Sequence, residues 1–375
     1  VNSYWERLSY DKNGNIQTLK RNGDTEAIGS LTLIDDLTFT YHSEKKNQLM
    51  KVFDATNITS GFKDDSNGIS DPENDYKYDA NGNLVADQNK DIEDITYNHL
   101  NLPVTIKFAT TGNKISYLYN AAGTKIRKII STNSEIITDY MAGGFQYLET
   151  KLNYFPHPEG YVTVVDDKFR YVYNYTDHLG NIRLSYSDAD ADGTIDSHEI
   201  MEENNYYPFG LKHEGYNSDV VLSSNYKYNG KEYQDELGLN FYDYGARNYD
   251  PALGRWMNID PLAEQSRRWT PYNYAYNNPM YFVDPDGMLS QSFIDEIWNK
   301  SGDGETKWTN NDDGTFSSNN GDSIAATEND NGGDGDPEKE KSVNKTGEKV
   351  LEAKKSFFGK LWGSLEKREW TDPET

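Results

Sequence analysis

An acidic stretch near the middle of the chain has the residue types and spacing of a calcium site. It reads DADADGTIDSHE, from Asp188 to Glu199. An EF-hand calcium loop takes its oxygen ligands from positions 1, 3, 5, 7, 9 and 12 and needs a glycine at position 6. Carboxylates this close repel one another unless a cation lies between them. The spacing therefore predicts a structural Ca²⁺ site formed by Asp188, Asp190, Asp192, the backbone carbonyl of Thr194, Asp196 and Glu199.

The segments that flank this loop favour strands over helices. IRLSYS precedes it and EENNYY follows it, so the two helices of a complete EF-hand are not expected. A bound Ca²⁺ ion would then hold the loop in place, since calcium sensing needs a pair of helices that opens. The alternative is an acidic hairpin loop that is simply solvated.

Two Asp-Pro pairs form a second candidate site. They contain Asp260 and Asp284, and Arg255 precedes the first of them. Two carboxylates that are close enough to share a proton can activate water, one acting as base and the other as acid. Asp-Pro is also a common turn sequence, so the alternative is that both aspartates only form turns where strands end.

The composition indicates β-sheets with partly wet faces. Among 375 residues there are 29 tyrosines, aromatic residues make up 13% and hydrophobic residues only 35%. The mean hydropathy is −0.90. Because tyrosine combines an apolar ring with a polar hydroxyl, it suits sheets whose faces stay partly solvated. We therefore expect an all-β protein.

Charge and cysteine content exclude several classes of protein. The net charge of −25 argues against nucleic acid as a partner of the repeat and core regions, because binding phosphate needs clustered Lys and Arg. The absence of cysteine excludes disulfides and Cys-ligated zinc. No apolar run is long enough to cross a bilayer. The first residues lie within a repeat and lack a signal-peptide pattern, so we expect the chain to be part of a longer polypeptide.

Residues 1–145 carry a degenerate repeat in which a tyrosine stands just before an Asn/Gly turn. YDKNGN, YDANGN, YNHLN and YNAAG begin at Tyr10, Tyr78, Tyr97 and Tyr119. Asn-Gly supplies the positive φ angles that tight hairpins need, and stretches of alternating polarity lie between the turns. The repeat predicts stacked β-hairpins at 1–145, followed by a core region at 146–288.

The composition changes after Met288, and we expect residues 289–375 to form a mostly irregular tail with one or two helices. Residues 310–341 offer little apolar surface to bury, which predicts a disordered acidic linker. An amphipathic helix is predicted at 347–370. It could contact a membrane interface, but packing against protein is favoured because glutamates dilute its positive charge. The tail has no histidine or cysteine, which excludes His-dependent nuclease and zinc-deaminase chemistry there.

Four sequence blocks occur in a fixed order between Tyr171 and Met288: DHLGNIR, YYPFG, the run from Tyr228 to Arg255, and the closing DPDGM. In these blocks the chain resembles the core domain of RHS-repeat (YD-repeat) proteins. The resemblance implies a β-strand shell whose plug end is the core domain and which encloses a variable C-terminal segment, often a toxin. It also implies a protein that is secreted or lies on a bacterial cell surface.

The resemblance further implies self-cleavage. In RHS proteins similar to this chain, a pair of aspartates is proposed to cut just after the hydrophobic residue that ends DPxG(L). Here the pair would be Asp260 and Asp284, with Arg255 tuning or orienting it.

The bond that this reaction would cut joins Met288 to Leu289. The sequence departs from the common pattern in having Met288 in place of leucine. It also carries Asp286 between Pro285 and Gly287, which could alter the local charge or replace one of the pair.

Two classes of function follow. The first is a shell and plug for a C-terminal effector that the protein separates by autoproteolysis; its partners would be its own C-terminal segment and a secretion apparatus or an immunity protein. The alternative is a non-enzymatic surface, adhesion or secretion-cargo protein with a Ca²⁺-stabilised β-shell, since exposed aromatic rings can stack on ligands.

Overall fold

The computed structural model of the chain describes residues 4–24, 31–56, 58–64, 74–165, 168–190, 192–213, 224–288, 308–310, 315–318, 321 and 323–325. The chain divides into two units, Val1–Met288 and Leu289–Thr375. The described residues contain strands and 3₁₀ turns but no α-helix, which confirms the predicted all-β class. Nowhere among them is there a helix that could span a membrane.

The first unit begins with two antiparallel sheets in which each strand pairs with its neighbours in the chain. The first sheet contains β1 (Glu6–Tyr10), β2 (Ile16–Asp24), β3 (Leu31–Tyr41) and β4 (Leu49–Asp54). The second has 13 strands: β5 (Tyr76–Tyr78), β6 (Leu84–Asp87), β7 (Ile92–Tyr97), β8 (Pro103–Phe108), β9 (Lys114–Tyr119), β10 (Lys125–Ser131), β11 (Glu135–Tyr140), β12 (Gln146–Leu148), β13 (Lys151–His157), β14 (Gly160–Val165), β15 (Lys168–Thr176), β16 (Ile182–Tyr186) and β17 (Ile200–Glu203).

The turns of the repeats share one hydrogen-bond pattern. Asp11 Oδ1 accepts the backbone N–H groups of Asn13 and Asn15, at 2.8 and 2.9 Å. Between them Gly14 has a φ of +82°, which a side chain would strain. The residue after each repeat tyrosine thus closes its turn with its own side chain. The same contacts to the N–H groups two and four residues ahead are made by Asp79, Asn98, Asn120 and, outside the repeats, Asp177.

The hairpin array extends further than the predicted boundary at 145/146. Thr138 in β11 pairs with Leu148 in β12, and the same sheet continues to Glu203. The later strands, such as KLNYFPH and GYVTVV, lack the Asn-Gly repeat but are rich in tyrosine, phenylalanine and valine. These residues favour strands, so the sheet continues without the repeat signature.

Beyond Glu203 the first unit is organised around a small sheet. Its strands are β18 (Glu232–Gln234), β19 (Phe241–Asp243), β20 (Asn248–Asp250) and β21 (Arg255–Trp256). The helical segments described in the first unit are all short 3₁₀ turns, at Gln88–Lys90, Ala142–Gly144, Tyr228–Gly230, Glu236–Gly238, Ala263–Ser266 and Ala275–Asn277. We call the described residues of this part, 204–213 and 224–288, the compact core.

Apolar residues of the compact core pack against the hairpin sheets. Leu239, Phe241, Leu253 and Met257 are buried in one cluster with side chains from β2 to β9. A second cluster is almost wholly aromatic, and its buried members are Tyr206, Phe209, Tyr228, Tyr242, Tyr244, Tyr249, Trp256, Tyr274 and Ala275. Burial of these rings is the main apolar stabilisation of the compact core.

Arg21, on β2, links the first sheet to the compact core. Its guanidinium is fully buried between Glu6, at 2.6 Å, and Asp35, at 3.0 Å. It also donates to the backbone carbonyls of Ala252 and Pro251, at 2.8 and 3.1 Å. A buried arginine is stable only with such complete pairing, so this contact fixes where the core segment lies on the sheet.

Lysines of the second sheet make similar contacts. Lys125 Nζ lies 2.7 Å from Glu232 and 2.6 Å from Asp243, and Lys128 Nζ lies 3.0 Å from Glu232. Each ion pair joins a cation of the hairpin array to an anion of the compact core. Further pairs of this kind are Lys128 with Glu236 and Lys90 with Asp250.

The second unit contains a three-stranded antiparallel sheet, which corrects part of the predicted linker at 310–341. Its strands are β22 (Trp308–Asn310), β23 (Thr315–Ser318) and β24 (Ser323–Ala325). The short motifs TFSS and SIA have strand propensity despite the acidic, glycine-rich sequence around them. The helix predicted at 347–370 lies outside the described residues.

Replacing Arg21 with Met should destabilise the protein strongly, because Glu6 and Asp35 would remain buried without their cation. We expect a loss of about 3–5 kcal/mol in the free energy of unfolding, measured by urea denaturation. Lys20→Met is the matched control. Its ion pair with Asp36 is exposed, with 45% and 29% of the two side chains accessible. It should cost no more than about 1 kcal/mol. Equal losses in the two variants would contradict the role of Arg21.

Candidate functional site

Asp260 and Asp284 lie close together because both carboxylates pair with the guanidinium of Arg247. Arg247 Nη2 is 3.0 Å from Asp260 Oδ2 and 3.2 Å from Asp284 Oδ2. All three side chains are largely buried. The sequence alone could not bring the two Asp-Pro turns together, and the structure does so through an arginine that links them.

Each aspartate also closes a turn with its other oxygen. Asp260 Oδ1 accepts the N–H of Leu262 at 2.8 Å, and Asp284 Oδ1 accepts the N–H of Gly287 at 2.7 Å. The two interpretations of the Asp-Pro sequences are therefore compatible. One oxygen of each carboxylate forms the turn, and the other faces its partner across Arg247.

Arg247 is the residue that the sequence analysis missed. It lies between β19 and β20, with its guanidinium 4.2 Å from the centre of the Trp256 ring. Its Nε donates to the carbonyl of Gly287 at 2.5 Å and its Nη1 to that of Pro271 at 3.3 Å. The sequence contained a weak signal, an arginine in the tyrosine-rich run NFYDYGARNYDP, but nothing in the spacing singled it out.

Arg255 does not lie at the pair, contrary to expectation. Its guanidinium lies over the rings of Tyr272 and Tyr41, at 4.7 and 5.7 Å, and donates to the carbonyl of Asn47 at 3.3 Å. The reason is strand geometry: successive residues of β21 face opposite sides, and Trp256 faces Arg247. Arg255 therefore packs against the first sheet.

Burial and neighbouring charges raise the pKa of one carboxyl group of the pair. Burial raises the pKa of Asp260, the Arg247 guanidinium opposes that shift, and the charge of Asp284 adds to it. Burial and the nearby Asp284 also raise the pKa of Asp286. A carboxyl group whose pKa is raised beside a second carboxylate is a feature of sites that carry out general acid–base hydrolysis.

The predicted cleavage point lies next to this group of residues. Arg247 holds the Gly287 carbonyl, and the N–H of Met288 donates to Asp286 Oδ1 at 2.9 Å. Leu289, the predicted residue after the cut, lies outside the described residues. The boundary between the two units falls at the same Met288–Leu289 bond.

The acidic loop closes the hairpin between β16 and β17, so the strands predicted on both sides are present. Side-chain oxygens of Asp188, Asp190 and Asp192 lie within 4.8 Å of one another. Asp188 Oδ1 is buried and has no hydrogen-bond partner among the residues that the structure describes. These three carboxylates form half of the predicted calcium shell, and the unpartnered oxygen fits a ligand atom.

The other predicted calcium ligands make hydrogen bonds within the loop. Glu199 accepts the N–H groups of Ala189 and Asp196, at 2.6 and 3.3 Å, and so ties together the two ends of the loop. Thr194 donates its N–H to Asp192 Oδ1 at 2.7 Å. The described geometry does not place Asp196 or Glu199 in the three-carboxylate group.

Comparison with known proteins finds relatives that are much longer than this chain, and the chain matches only a small part of each. No family model matches the chain. It is 34% identical to Toxin subunit YenC2 of Yersinia entomophaga over 142 residues, 37% of the chain and 13% of that protein. It is 28% identical to the tRNA3(Ser)-specific nuclease WapA of Bacillus spizizenii over 64% of the chain and 9% of that protein. It is 26% identical to Salivary gland surface protein 1 of Aedes aegypti over 58% of the chain and 7% of that protein.

Among solved structures, the chain is similar to TcdB2-TccC3 without its hypervariable C-terminal region. The TM-score is 0.49 and the identity 19%, over 76% of this chain and 15% of that one. The chain is thus similar to toxin subunits and to nucleases that are several times longer than itself.

Replacing Arg247 with Met should leave two buried carboxylates without their shared cation. We expect a loss of about 3–5 kcal/mol in the free energy of unfolding at pH 7.5. Because Arg247 lowers the pKa of Asp260, its removal raises that pKa further above the value in the unfolded chain. A group whose pKa is higher in the folded chain contributes stability at low pH, and that contribution is lost as pH rises through the folded pKa. The loss in free energy of unfolding caused by Arg247→Met should therefore be smaller at pH 5 than at pH 7.5.

The matched control is Arg127→Met, which removes an arginine–aspartate pair in which 42% of the arginine side chain is exposed. It should change the urea midpoint little at either pH. A deficit in Arg247→Met that is the same at pH 7.5 and pH 5 would show that the two carboxylates do not depend on this cation.

Proposed function

We propose that the chain is the hairpin-array and core part of an RHS-type protein related to polymorphic toxins, and that it cuts itself after Met288 to separate its C-terminal segment. The observation that carries this proposal is the convergence of Asp260, Asp284 and the Gly287 carbonyl on Arg247. The similarity to toxin subunits and to WapA nucleases supports the same class. A secreted or surface location follows from that class, with a secretion apparatus or an immunity protein as further partners.

The cleavage is a hydrolysis that needs water as its only other reactant. Asp284 takes a proton from a water molecule whose oxygen attacks the carbonyl carbon of Met288. Asp260, which enters the reaction protonated, donates its proton, and the C–N bond to Leu289 breaks. The products are a carboxyl group on Met288 and an amine on Leu289. Arg247 holds the two carboxylates and the preceding carbonyl in place.

A second candidate function is supported by exposed aromatic side chains. Phe169, Tyr171 and Tyr175 of β15 are 62%, 56% and 62% exposed and alternate along the strand, so they share one face. Such rings can stack on sugars or on other proteins. In this alternative the protein is a non-enzymatic surface or adhesion protein, and Asp260 and Asp284 only form turns.

We further propose that the loop from Asp188 to Glu199 binds Ca²⁺ as a structural clamp. The three clustered carboxylates and the unpartnered oxygen of Asp188 support this proposal. Bound Ca²⁺ would remove the repulsion among these groups and draw in the remaining oxygen ligands. The flanking strands provide no helix pair that could open, so the ion would stabilise the hairpin without switching it.

The intact mass of the full chain tests the cleavage directly. The wild type should yield a fragment that ends at Met288, whereas Asp260→Asn and Asp284→Asn should stay whole, because an amide cannot transfer the proton. Asparagine retains the oxygen that closes each turn, so the turns themselves should survive. An uncut wild type would favour the non-enzymatic alternative, and a cut double variant would exclude the aspartate pair as the catalyst.

Asp177→Asn is the matched control for that experiment. Asp177 also closes a turn and also pairs with an arginine, Arg183, at 2.8 Å. Its variant should be cut like the wild type. Loss of cleavage in this variant too would mean that any weakened turn stops the reaction.

The thermal midpoint with and without Ca²⁺ tests the loop. Millimolar CaCl₂ should raise the midpoint of the wild type, since a ligand that binds only the folded state stabilises it. MgCl₂ should do much less, because Mg²⁺ requires a smaller, octahedral site. The variant with Asp190→Asn and Asp192→Asn should lose the Ca²⁺ response. A midpoint that Ca²⁺ leaves unchanged in the wild type would support the solvated loop.

A further inference from the structure

The three carbonyl groups that precede Met288 are each bound by a different donor. All the donors belong to the segment that runs from the end of the Tyr228–Gly230 turn to Arg247. The pairs are Lys231 Nζ with the Pro285 carbonyl at 2.5 Å, the Ala246 N–H with the Asp286 carbonyl at 3.1 Å, and Arg247 Nε with the Gly287 carbonyl at 2.5 Å. Three consecutive backbone oxygens are thus held, one residue at a time, up to the proposed cleavage point.

Lys231 is fixed in place before it makes this contact. Its N–H donates to the carbonyl of Tyr228 and its own carbonyl accepts the N–H of Lys227, both at 3.0 Å. Its ammonium lies 5.3 Å from the centre of the Tyr244 ring, within reach of a cation–π contact. A lysine side chain is flexible in isolation, and these contacts direct it to one carbonyl oxygen.

The backbone conformation of Gly287 lets the segment approach its three donors closely. Gly287 has a φ of +83°, and a Cβ atom built on it would lie 3.1 Å from the backbone nitrogen of Arg247. A side chain here would strain the backbone and push the carbonyl away from Arg247. The glycine at 287 therefore allows the close approach in which the segment meets its three donors.

We propose that Lys231 is a positioning residue for the self-cleavage, and that its contact with Pro285 sets which peptide bond reaches the aspartate pair. This inference rests on the cleavage proposed above. A shift of one residue would bring a neighbouring bond to Asp260 and Asp284, so the three donors select the bond after Met288. Lys231 does not touch the reacting atoms and acts by holding the chain four residues before the cut.

The test is a time course of cleavage in full-length protein made by cell-free synthesis, with the mass of the N-terminal fragment measured at each time. Lys231→Met keeps the aliphatic length but removes the donor. It should slow cleavage about tenfold to a hundredfold, as expected for a small misplacement of reacting groups, and give fragments with neighbouring C-termini. Lys231→Arg should restore both the rate and the single product. Lys107→Met, which removes an exposed ion pair with Glu93, should cut like the wild type.

The outcomes separate this inference from the proposed cleavage. If the wild type cuts and Lys231→Met matches it in rate and product, Lys231 has no positioning role and the cleavage proposal stands. If the wild type does not cut, both are overturned. Should Lys231→Met fail to fold, Gly287→Ala disturbs the neighbouring contact of the same segment, between the Gly287 carbonyl and Arg247. This variant should slow cleavage while lowering the thermal midpoint less than Lys231→Met does. A wild-type rate of cleavage in it would overturn the inference.

Discussion

The fold of the first unit depends on cations that the hairpin sheets bury against the compact core. Arg21, Lys90, Lys125 and Lys128 all come from the hairpins, and they bind carboxylates and carbonyls between residues 232 and 252. A buried charge without its partner costs several kcal/mol. For the three lysines the cation comes from the hairpins and the anion from the compact core, so these pairs favour the docking arrangement that brings them together. The aromatic cluster contributes apolar burial, which depends less on the exact orientation of the two parts than the ion pairs do.

In the proposed cleavage, the aspartate pair would serve structure and chemistry together. Asp260 and Asp284 each use one oxygen to close a turn, which fixes the direction of the other. Carboxylates that are held by their own turns need no rearrangement to meet across Arg247. Pre-organisation of this kind is what an acid–base pair requires, since reacting groups must be placed before the reaction starts.

Much of the first unit could be predicted from sequence because its rules are local. The tyrosine repeats, the Asn/Gly turns and the strands beside the acidic loop each depend on a few neighbouring residues, and all are present. The choice of Arg255 over Arg247 failed because it depends on which face of β21 meets the core, and nearness in sequence does not determine that. The extent of the array was underestimated for a related reason, since strands after residue 145 rely on valine and tyrosine instead of the repeat. The sheet at 308–325 was missed because an acidic composition concealed three short strands.

The strictly sequential pairing of the hairpins has a consequence for how the chain acquires its structure. Within the 13-stranded sheet every strand pairs with its neighbours in the chain, so the array can grow one hairpin after another as synthesis or translocation proceeds. The buried lysines Lys90, Lys125 and Lys128 meet their partners in the compact core only when that segment is present, and the core is encoded last in the first unit. The nascent array is therefore not fully stabilised on its own. The unit becomes stable when its final segment, the compact core, packs against the array.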